Sequence, residues 1–153
     1  MTDKAESYRQ LLSQAQSLFA GEREKIANAA NLAALIWHGL ADLNWAGFYF
    51  RKGEELVLGP FQGMPACVRI GWGKGVCGSA AASAKTVVVP DVHAFAGHIA
   101  CDSGSNSELV VPLIRDRRVI GVLDLDSPLF DRFDAEDTRG VEALARAFVT
   151  ASR

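Results

Sequence analysis

Three cysteines are the residues of this chain best suited to nucleophilic or redox chemistry. They stand at positions 67, 77 and 101, and no two of them form a Cys-x-x-Cys pair. A tetrahedral zinc site of the usual spacing is therefore not predicted. His98 lies shortly before Cys101, and His93 lies nearby, which leaves a metal site in that segment as an open alternative.

Cys101 has the sequence environment of a reactive thiol. It stands in an irregular, glycine-flanked segment, with His98 before it and Asp102 directly after it. A positioned histidine or a helix N-terminus lowers the pKa of a thiol and exposes the thiolate, which is the nucleophilic form. Cys67 instead stands in an apolar stretch, where an inert small hydrophobe and a reactive group are about equally expected.

Carboxylates follow this segment in the sequence. Glu108 opens one predicted strand, and Asp124 and Asp126 stand two positions apart in the next, so both project from the same face. Such a face is commonly solvated, but in a pocket burial raises the pKa of a carboxyl and lets it donate a proton. Trp45 and Tyr49 are candidates for an aromatic pocket wall, although core packing would also explain them.

The glycine-rich run from Gly71 to Gly78 superficially resembles a phosphate-binding loop. It lacks the Gly-Lys-Ser/Thr ending, and no dinucleotide-binding fingerprint follows a strand here. We therefore predict a turn with unusual backbone angles rather than a nucleotide site.

The elements that position these residues follow from the hydrophobic pattern. Apolar residues recur every three or four positions over residues 1–41, which predicts two helices, and a last helix is predicted over Ala135–Ala151 with Asp134 as its N-cap. Hairpin-like neighbours between them predict an antiparallel sheet with helices packed on it, an α+β fold. The predicted strands are Trp45–Phe50, Leu56–Leu58, Cys67–Ile70, Thr86–Val89, Leu109–Ile114 and Val119–Leu125, with a small-residue helix over Val76–Ala84.

Residues 91–107 are the least regular part of the chain. A loop of this length in a compact domain is more often functional than not. This one contains Cys101 together with His93 and His98, so we expect it to contribute to a site.

The composition excludes several classes of protein. The 153 residues are 49% hydrophobic and 22% charged, as in an ordinary globular domain. A net charge of -2 gives no basic excess for holding nucleic acid. The odd cysteine count disfavours a secreted disulfide framework, and we see no export signal and no bilayer-length apolar run, so we expect a cytoplasmic protein with no membrane partner.

Seven segments together resemble the free methionine-(R)-sulfoxide reductases, which are single-domain GAF proteins. The resemblance covers nearly the whole chain, and general GAF sensor domains do not carry three cysteines in these contexts. The segments are Trp45–Tyr49, Leu58–Gly63, Gly73–Gly78, Val89–Val92, Gly97–Asp102, Ser107–Pro112 and Gly121–Asp126.

The resemblance implies a single GAF domain over residues 1–153, with N- and C-terminal helices packed on a central antiparallel six-stranded sheet and a catalytic loop near 91–107. It implies an enzyme that reduces the R epimer of free methionine sulfoxide to methionine. It also implies that no cofactor is bound, that thioredoxin and NADPH form the external reducing system, and that the protein is a homodimer.

The same resemblance assigns roles to individual residues. Cys101 matches the catalytic cysteine, which becomes a sulfenic acid, and Cys67 and Cys77 match the two cysteines that resolve it as an intramolecular disulfide. The positions that match substrate-binding and proton-transfer residues are Trp45, Tyr49, Glu108, Asp124 and Asp126. Which of Cys67 and Cys77 is the main resolving thiol, and which carboxylate is the general acid, both stay open.

Two other functions are open at this point. A GAF domain can be a non-catalytic sensor of a small ligand, and a reactive Cys101 can meet peroxide directly, as in a thiol peroxidase or a redox sensor. We expect a sensor to carry an output domain, and 153 residues leave no room for one, which favours the reductase.

Overall fold

The computed structural model describes residues 3–98 and 104–153. Within them lie four α-helices, six β-strands and one short 3₁₀-helix. None of these helices combines the length and the apolar character that crossing a bilayer requires. In chain order the elements are α1 (Lys4–Phe19), α2 (Lys25–Gly39), β1 (Trp45–Lys52), β2 (Glu55–Gly63), β3 (Arg69–Gly71), α3 (Gly75–Ser83), β4 (Val87–Val89), the 3₁₀-helix (Val92–Ala94), β5 (Ser107–Arg115), β6 (Arg118–Ser127) and α4 (Ala135–Ala151).

The six strands form one antiparallel sheet in the order β3-β2-β1-β6-β5-β4. Strands β1 and β6, which are distant in the sequence, are neighbours at its centre. The predicted α+β fold, with a six-stranded antiparallel sheet and helices from both ends of the chain packed on it, is confirmed.

The sheet separates two apolar clusters, because successive side chains of a strand point to opposite faces. On one face, Ala46, Phe48 and Phe50 of β1 pack in the larger cluster with α1, α2 and α4. On the other face, Trp45 and Tyr49 of β1 pack in the cluster that includes α3. Helix α3 has 9 residues against 16 in α1, so the second face is less fully covered.

The predicted cap of the last helix is confirmed. The Asp137 backbone N–H donates to Asp134 Oδ1 over 3.0 Å, and the Asp134 backbone N–H donates back to Asp137 Oδ2 over 2.9 Å. Asp137 also accepts a 2.7 Å hydrogen bond from the Tyr8 hydroxyl and forms a 2.9 Å ion pair with Lys4. These contacts connect α1 to the start of α4.

Strand β2 is longer than predicted. The prediction ends this strand at Leu58, shortly before Pro60, yet the strand continues to Gly63. The pairing with β1 shifts between Gly47↔Phe61 and Tyr49↔Leu58, so Pro60 lies at a bulge. A proline is tolerated there because its missing N–H interrupts no regular ladder hydrogen bond.

The prediction of a strand over Cys67–Ile70 is wrong at its start, because β3 begins at Arg69. The Cys67 carbonyl accepts a 2.8 Å hydrogen bond from the Tyr49 hydroxyl. Smaller differences are that α3 begins and ends one residue earlier than predicted, that the segment 91–107 contains a 3₁₀ turn, and that β5 already begins at Ser107.

Candidate active site

The three predicted carboxylates meet on the sheet face that carries α3. Glu108 of β5 pairs with Asp126 of β6, and Asp126 pairs with Trp45 of β1. Directly opposed residues in antiparallel strands project from the same face, so these three side chains form a row across the sheet. Asp124 lies two residues before Asp126 in β6 and therefore projects from the same face, which confirms the prediction that Asp124 and Asp126 share one face of the sheet.

These side chains line one cavity. Six of the eight predicted site residues contribute to its wall. Cys67 is not among the lining residues, although its neighbour Ala66 is, and Cys101 lies outside the described residues. The lining residues are Trp45, Tyr49, Ala66, Ile70, Lys74, Gly75, Val76, Cys77, His98, Ser105, Glu108, Asp124 and Asp126.

Trp45 forms the aromatic wall that the sequence predicts. Its indole ring stacks on Tyr49 with ring centres 5.8 Å apart and on Phe61 with centres 5.2 Å apart. Its ring N–H donates to the Met64 carbonyl over 3.1 Å, which fixes the orientation of the indole. Gly47 is required here, because a β-carbon at that position would stand 2.3 Å from Phe61 Cβ and 2.9 Å from the indole.

The glycine-rich run is a turn, as predicted. Gly73 and Gly75 have φ of 81° and 61°, in the left-handed region that favours glycine. This turn starts α3 and places Cys77 in its first turn. From there the Cys77 thiol donates a hydrogen bond to Glu108 Oε2 with a sulfur–oxygen distance of 3.9 Å.

Glu108 is a buried acid surrounded by other acids. Its side chain is only 6% exposed. Burial raises the pKa of Glu108 well above its ordinary value, and the charges of Asp124 and Asp126 raise it further. Burial also raises the pKa of Asp124, but hydrogen bonds from Glu108 and Cys77 act in the opposite direction. We therefore place the proton of this cluster on Glu108, which can then act as a general acid.

His98 extends the cavity wall beside this acid. Its Nε2 lies 4.0 Å from Glu108 Oε1. Burial and the charge of His93 lower the pKa of His98, which favours a neutral imidazole near pH 7. The contact between the two side chains is therefore not a full ion pair.

The two described cysteines are in different states. Cys77 is a free thiol, only 5% exposed, and burial together with the charges of Asp124 and Glu108 raises its pKa well above the ordinary value. A thiol held protonated in this way is a poor nucleophile. Cys67 is disulfide-bonded and lies in the irregular segment before β3, where its carbonyl accepts a hydrogen bond from the Tyr49 hydroxyl.

Several features of the site have no signal in the sequence. The Cys77–Glu108 contact and the Tyr49–Cys67 hydrogen bond both join residues from separate elements, so they depend on the packing of α3 and on strand register. Ser105 of the cavity wall accepts a 3.0 Å hydrogen bond from the Asn44 amide, which links the segment before β5 to the start of β1.

The buried acid makes stability depend on pH. Because the pKa of Glu108 is higher in the folded than in the unfolded state, its contribution to stability is full below the ordinary value of 4.5 and declines as the pH rises toward the folded-state pKa. We expect the reduced Glu108→Gln variant to gain stability relative to the wild type as the pH rises, by about 1.4 kcal/mol per pH unit over that range.

Denaturant unfolding of both proteins from pH 4 to pH 8 measures this gap. Glu54→Gln is the matched control, because the Glu54 side chain is 84% exposed. A gap between Glu108→Gln and the wild type that stays constant with pH would show that Glu108 ionises as easily in the folded as in the unfolded chain.

Comparison with known proteins identifies a family and relatives that share this fold. The GAF domain family matches residues 23–151. The free methionine-R-sulfoxide reductase of Escherichia coli is 51% identical over 142 residues, which cover 93% of this chain and 86% of that protein. The free methionine-R-sulfoxide reductase of Neisseria meningitidis, solved with its substrate, is 47% identical with a TM-score of 0.95, over 99% of this chain and 91% of that one. The reduced form of the Staphylococcus aureus enzyme is 50% identical with a TM-score of 0.92, over 94% of each chain.

Proposed function

The chain belongs to the GAF-domain family of free methionine-R-sulfoxide reductases, and from this premise we propose that it reduces the R epimer of free methionine sulfoxide to methionine in the cavity beside Glu108. The observation that carries the proposal is a buried Glu108, whose pKa is raised by burial and by the neighbouring carboxylates, in a cavity with an aromatic wall. A sulfoxide sulfur is a poor electrophile until its oxygen is protonated or strongly hydrogen-bonded. Glu108 is the group that supplies this proton.

The reaction then needs a nucleophile, and we assign that role to Cys101. Its thiolate attacks the sulfur, the sulfoxide oxygen passes to Cys101 as a sulfenic acid, and methionine leaves. A second thiol attacks the sulfenic sulfur, which forms a disulfide and releases the oxygen as water. The two protons and two electrons that the sulfoxide consumes therefore come from two thiols, and an external dithiol restores them by exchange.

Cys67 is the resolving thiol in this proposal. It is disulfide-bonded, and the Tyr49 hydroxyl holds its backbone beside the cavity wall. Cys77 is the weaker candidate, because its thiol is buried and held protonated by the neighbouring carboxylates. We therefore propose Cys67 for the resolving role that the sequence leaves open between the two thiols.

The other residues that line the cavity are suited to substrate recognition. Asp124 and Asp126 offer negative charge to the ammonium group of a free amino acid, and Trp45 offers an apolar surface to the S-methyl group. A site that binds the free ammonium group selects the amino acid over a peptide-bound residue, in which that nitrogen is an amide. We propose that thioredoxin, kept reduced by NADPH, is the external dithiol. We also propose that the protein is cytoplasmic and that it assembles as a homodimer.

The proposal is tested by supplying four substrates to the pure protein with thioredoxin, its reductase and NADPH: the free R epimer, the free S epimer, a peptide-bound sulfoxide and hydrogen peroxide. We expect turnover with the free R epimer alone. Binding without turnover of any sulfoxide would instead indicate a GAF sensor. Turnover of peroxide alone would indicate a thiol peroxidase.

Replacing Cys67 by serine separates the two candidate resolving thiols. We expect Cys67→Ser to form one equivalent of methionine and then to stall in the thioredoxin-coupled assay, because its sulfenic acid has no efficient partner. Cys77→Ser is the matched variant and should keep cycling. Thiols counted after one turnover without reductant should fall by two in Cys77→Ser and by one in Cys67→Ser. The opposite pattern would move resolution to Cys77.

A further inference from the structure

Cys77 is a buried nucleophilic group that the proposed reaction does not use. It is a free thiol, yet it neither attacks the substrate nor resolves the sulfenic acid in the scheme above. Its buried thiol lies against the carboxyl groups of Glu108 and Asp124 rather than among apolar side chains alone. We therefore considered which ligand this group of side chains would bind.

The three side chains have the geometry of a metal-ligand set. One ligand atom from each of Cys77, Glu108 and Asp124 lies within 4.8 Å of the other two. Ligand atoms of a tetrahedral Zn²⁺ site stand about 3.3–3.7 Å apart, given bonds of about 2.3 Å to sulfur and about 2.0–2.2 Å to oxygen. The distance of 3.9 Å between Cys77 Sγ and Glu108 Oε2 is only slightly longer than this spacing, so this pair needs little movement to bind one ion.

An independent observation points to a ligand at the same place. Asp124 is only 5% exposed, and its Oδ1 atom has no hydrogen-bond partner among the residues that the structure describes. A buried carboxylate oxygen without a donor is costly, so it favours a cation or a donor from a bound molecule. Asp124 lines the cavity, so such a partner is accessible to it.

The three ligands come from rigid elements. Cys77 belongs to α3, Glu108 to β5 and Asp124 to β6, and β5 and β6 are paired strands in the sheet. A site on helices and strands is held more tightly than one on loops. His98 Nε2, which is 4.0 Å from Glu108 Oε1, is available as a fourth ligand.

We propose that the reduced protein binds a Zn²⁺ ion through Cys77, Glu108 and Asp124, and that the bound ion inhibits the enzyme. One thiolate and two carboxylates form a mixed sulfur–oxygen set that suits this borderline-soft ion. On binding, the Cys77 thiol and the protonated Glu108 release their protons to the buffer, and no electrons are transferred. Zn²⁺ binding is inferred independently of the proposed function, whereas the inhibition claim rests on that function.

Inhibition follows from the identity of the ligands. A Glu108 carboxylate that binds Zn²⁺ has no proton to give to a sulfoxide oxygen. The ion also occupies the position beside Asp124 that the substrate ammonium group would take. Zn²⁺ and substrate therefore compete for the same residues.

Cobalt(II) is a spectroscopic probe that tests the binding claim without turnover. In a Cys67→Ser, Cys101→Ser double variant, Cys77 is the remaining thiol of the chain, so any thiolate-to-cobalt charge-transfer band must come from it. We expect one equivalent of Co²⁺ to produce this band with visible bands of tetrahedral intensity, and Zn²⁺ to displace it.

Matched substitutions in the same background identify the ligands. Adding Cys77→Ser should abolish the charge-transfer band. Adding Asp124→Asn should weaken binding by more than about tenfold, since even changes behind the ligands cost about 10–100-fold. Asp126→Asn, two positions along the same strand face, should keep the band. Absence of the band in the double variant, or its persistence with Asp124→Asn at unchanged affinity, would overturn the site.

Single-turnover methionine formation by the pre-reduced wild type tests inhibition without added dithiols, which would chelate Zn²⁺. We expect stoichiometric Zn²⁺ to suppress methionine formation and Cys77→Ser to need a higher concentration for the same effect. Equal sensitivity of the two proteins would overturn inhibition at this site. A protein that reduces no sulfoxide would refute the proposed function, while the cobalt titration would still decide whether the metal binds.

Discussion

Replacing Cys101 with serine is expected to abolish methionine formation, in a single turnover as well as in the thioredoxin-coupled assay. The attack on sulfur requires a soft, ionised nucleophile, and a serine hydroxyl stays protonated near pH 7. Serine also cannot accept the sulfoxide oxygen in a form that a second thiol can remove. The loss should therefore be complete rather than partial, because no later step has a substrate.

Two measurements keep this prediction specific. Calorimetric titration with free methionine R-sulfoxide should show that Cys101→Ser still binds it, because the cavity wall from Trp45 to Glu108 is unchanged. Cys77→Ser, which also removes one thiol from the protein, should still form methionine. Methionine formation by Cys101→Ser would transfer the role of nucleophile to Cys67 or Cys77.

Local patterns in the sequence predict the parts of this molecule that local interactions determine. The helix over Ala135–Ala151 and its aspartate cap follow from residues within one turn of each other, and the structure reproduces both. The shared face of Asp124 and Asp126 follows from the two-residue repeat of a strand. The fold class also follows, because helical periodicity and hairpin-like spacing are properties of neighbouring segments.

The strand boundaries that fail are those set by contacts between distant segments. Pro60 breaks a local strand pattern, yet β2 continues because the pairing with β1 places a bulge there. Cys67 fits a local apolar strand, but the hydroxyl of Tyr49 takes its carbonyl. Neither interaction has a signature in the residues immediately around it.

The same limit applies to the site. The sequence identifies Glu108, Asp124 and Asp126 as candidates for proton transfer. It cannot rank their pKa values, because the ranking depends on burial and on the partners of each side chain. The register of β5 and β6 places Glu108 opposite Asp126, and the packing of α3 brings the Cys77 thiol into contact with Glu108. The distinction between a solvated acidic face and a proton donor therefore emerges only from the assembled sheet.

Glu108→Gln tests that distinction most directly, and we expect it to lower kcat/KM near pH 7 by about 10²–10⁴-fold, the usual range for loss of a general acid. Glutamine keeps the size of the side chain and can hydrogen-bond the sulfoxide oxygen, but it cannot transfer a proton. The wild-type rate should fall as the pH rises through the raised pKa of Glu108, and the variant should lack this limb of the pH profile.

Asp124→Asn and Asp126→Asn should raise KM more than they lower kcat, since we assign both residues to binding of the ammonium group. An unchanged rate in Glu108→Gln, together with a loss of kcat in Asp124→Asn, would place the proton on Asp124, because that carboxyl is the other buried acid of the cavity whose pKa burial raises.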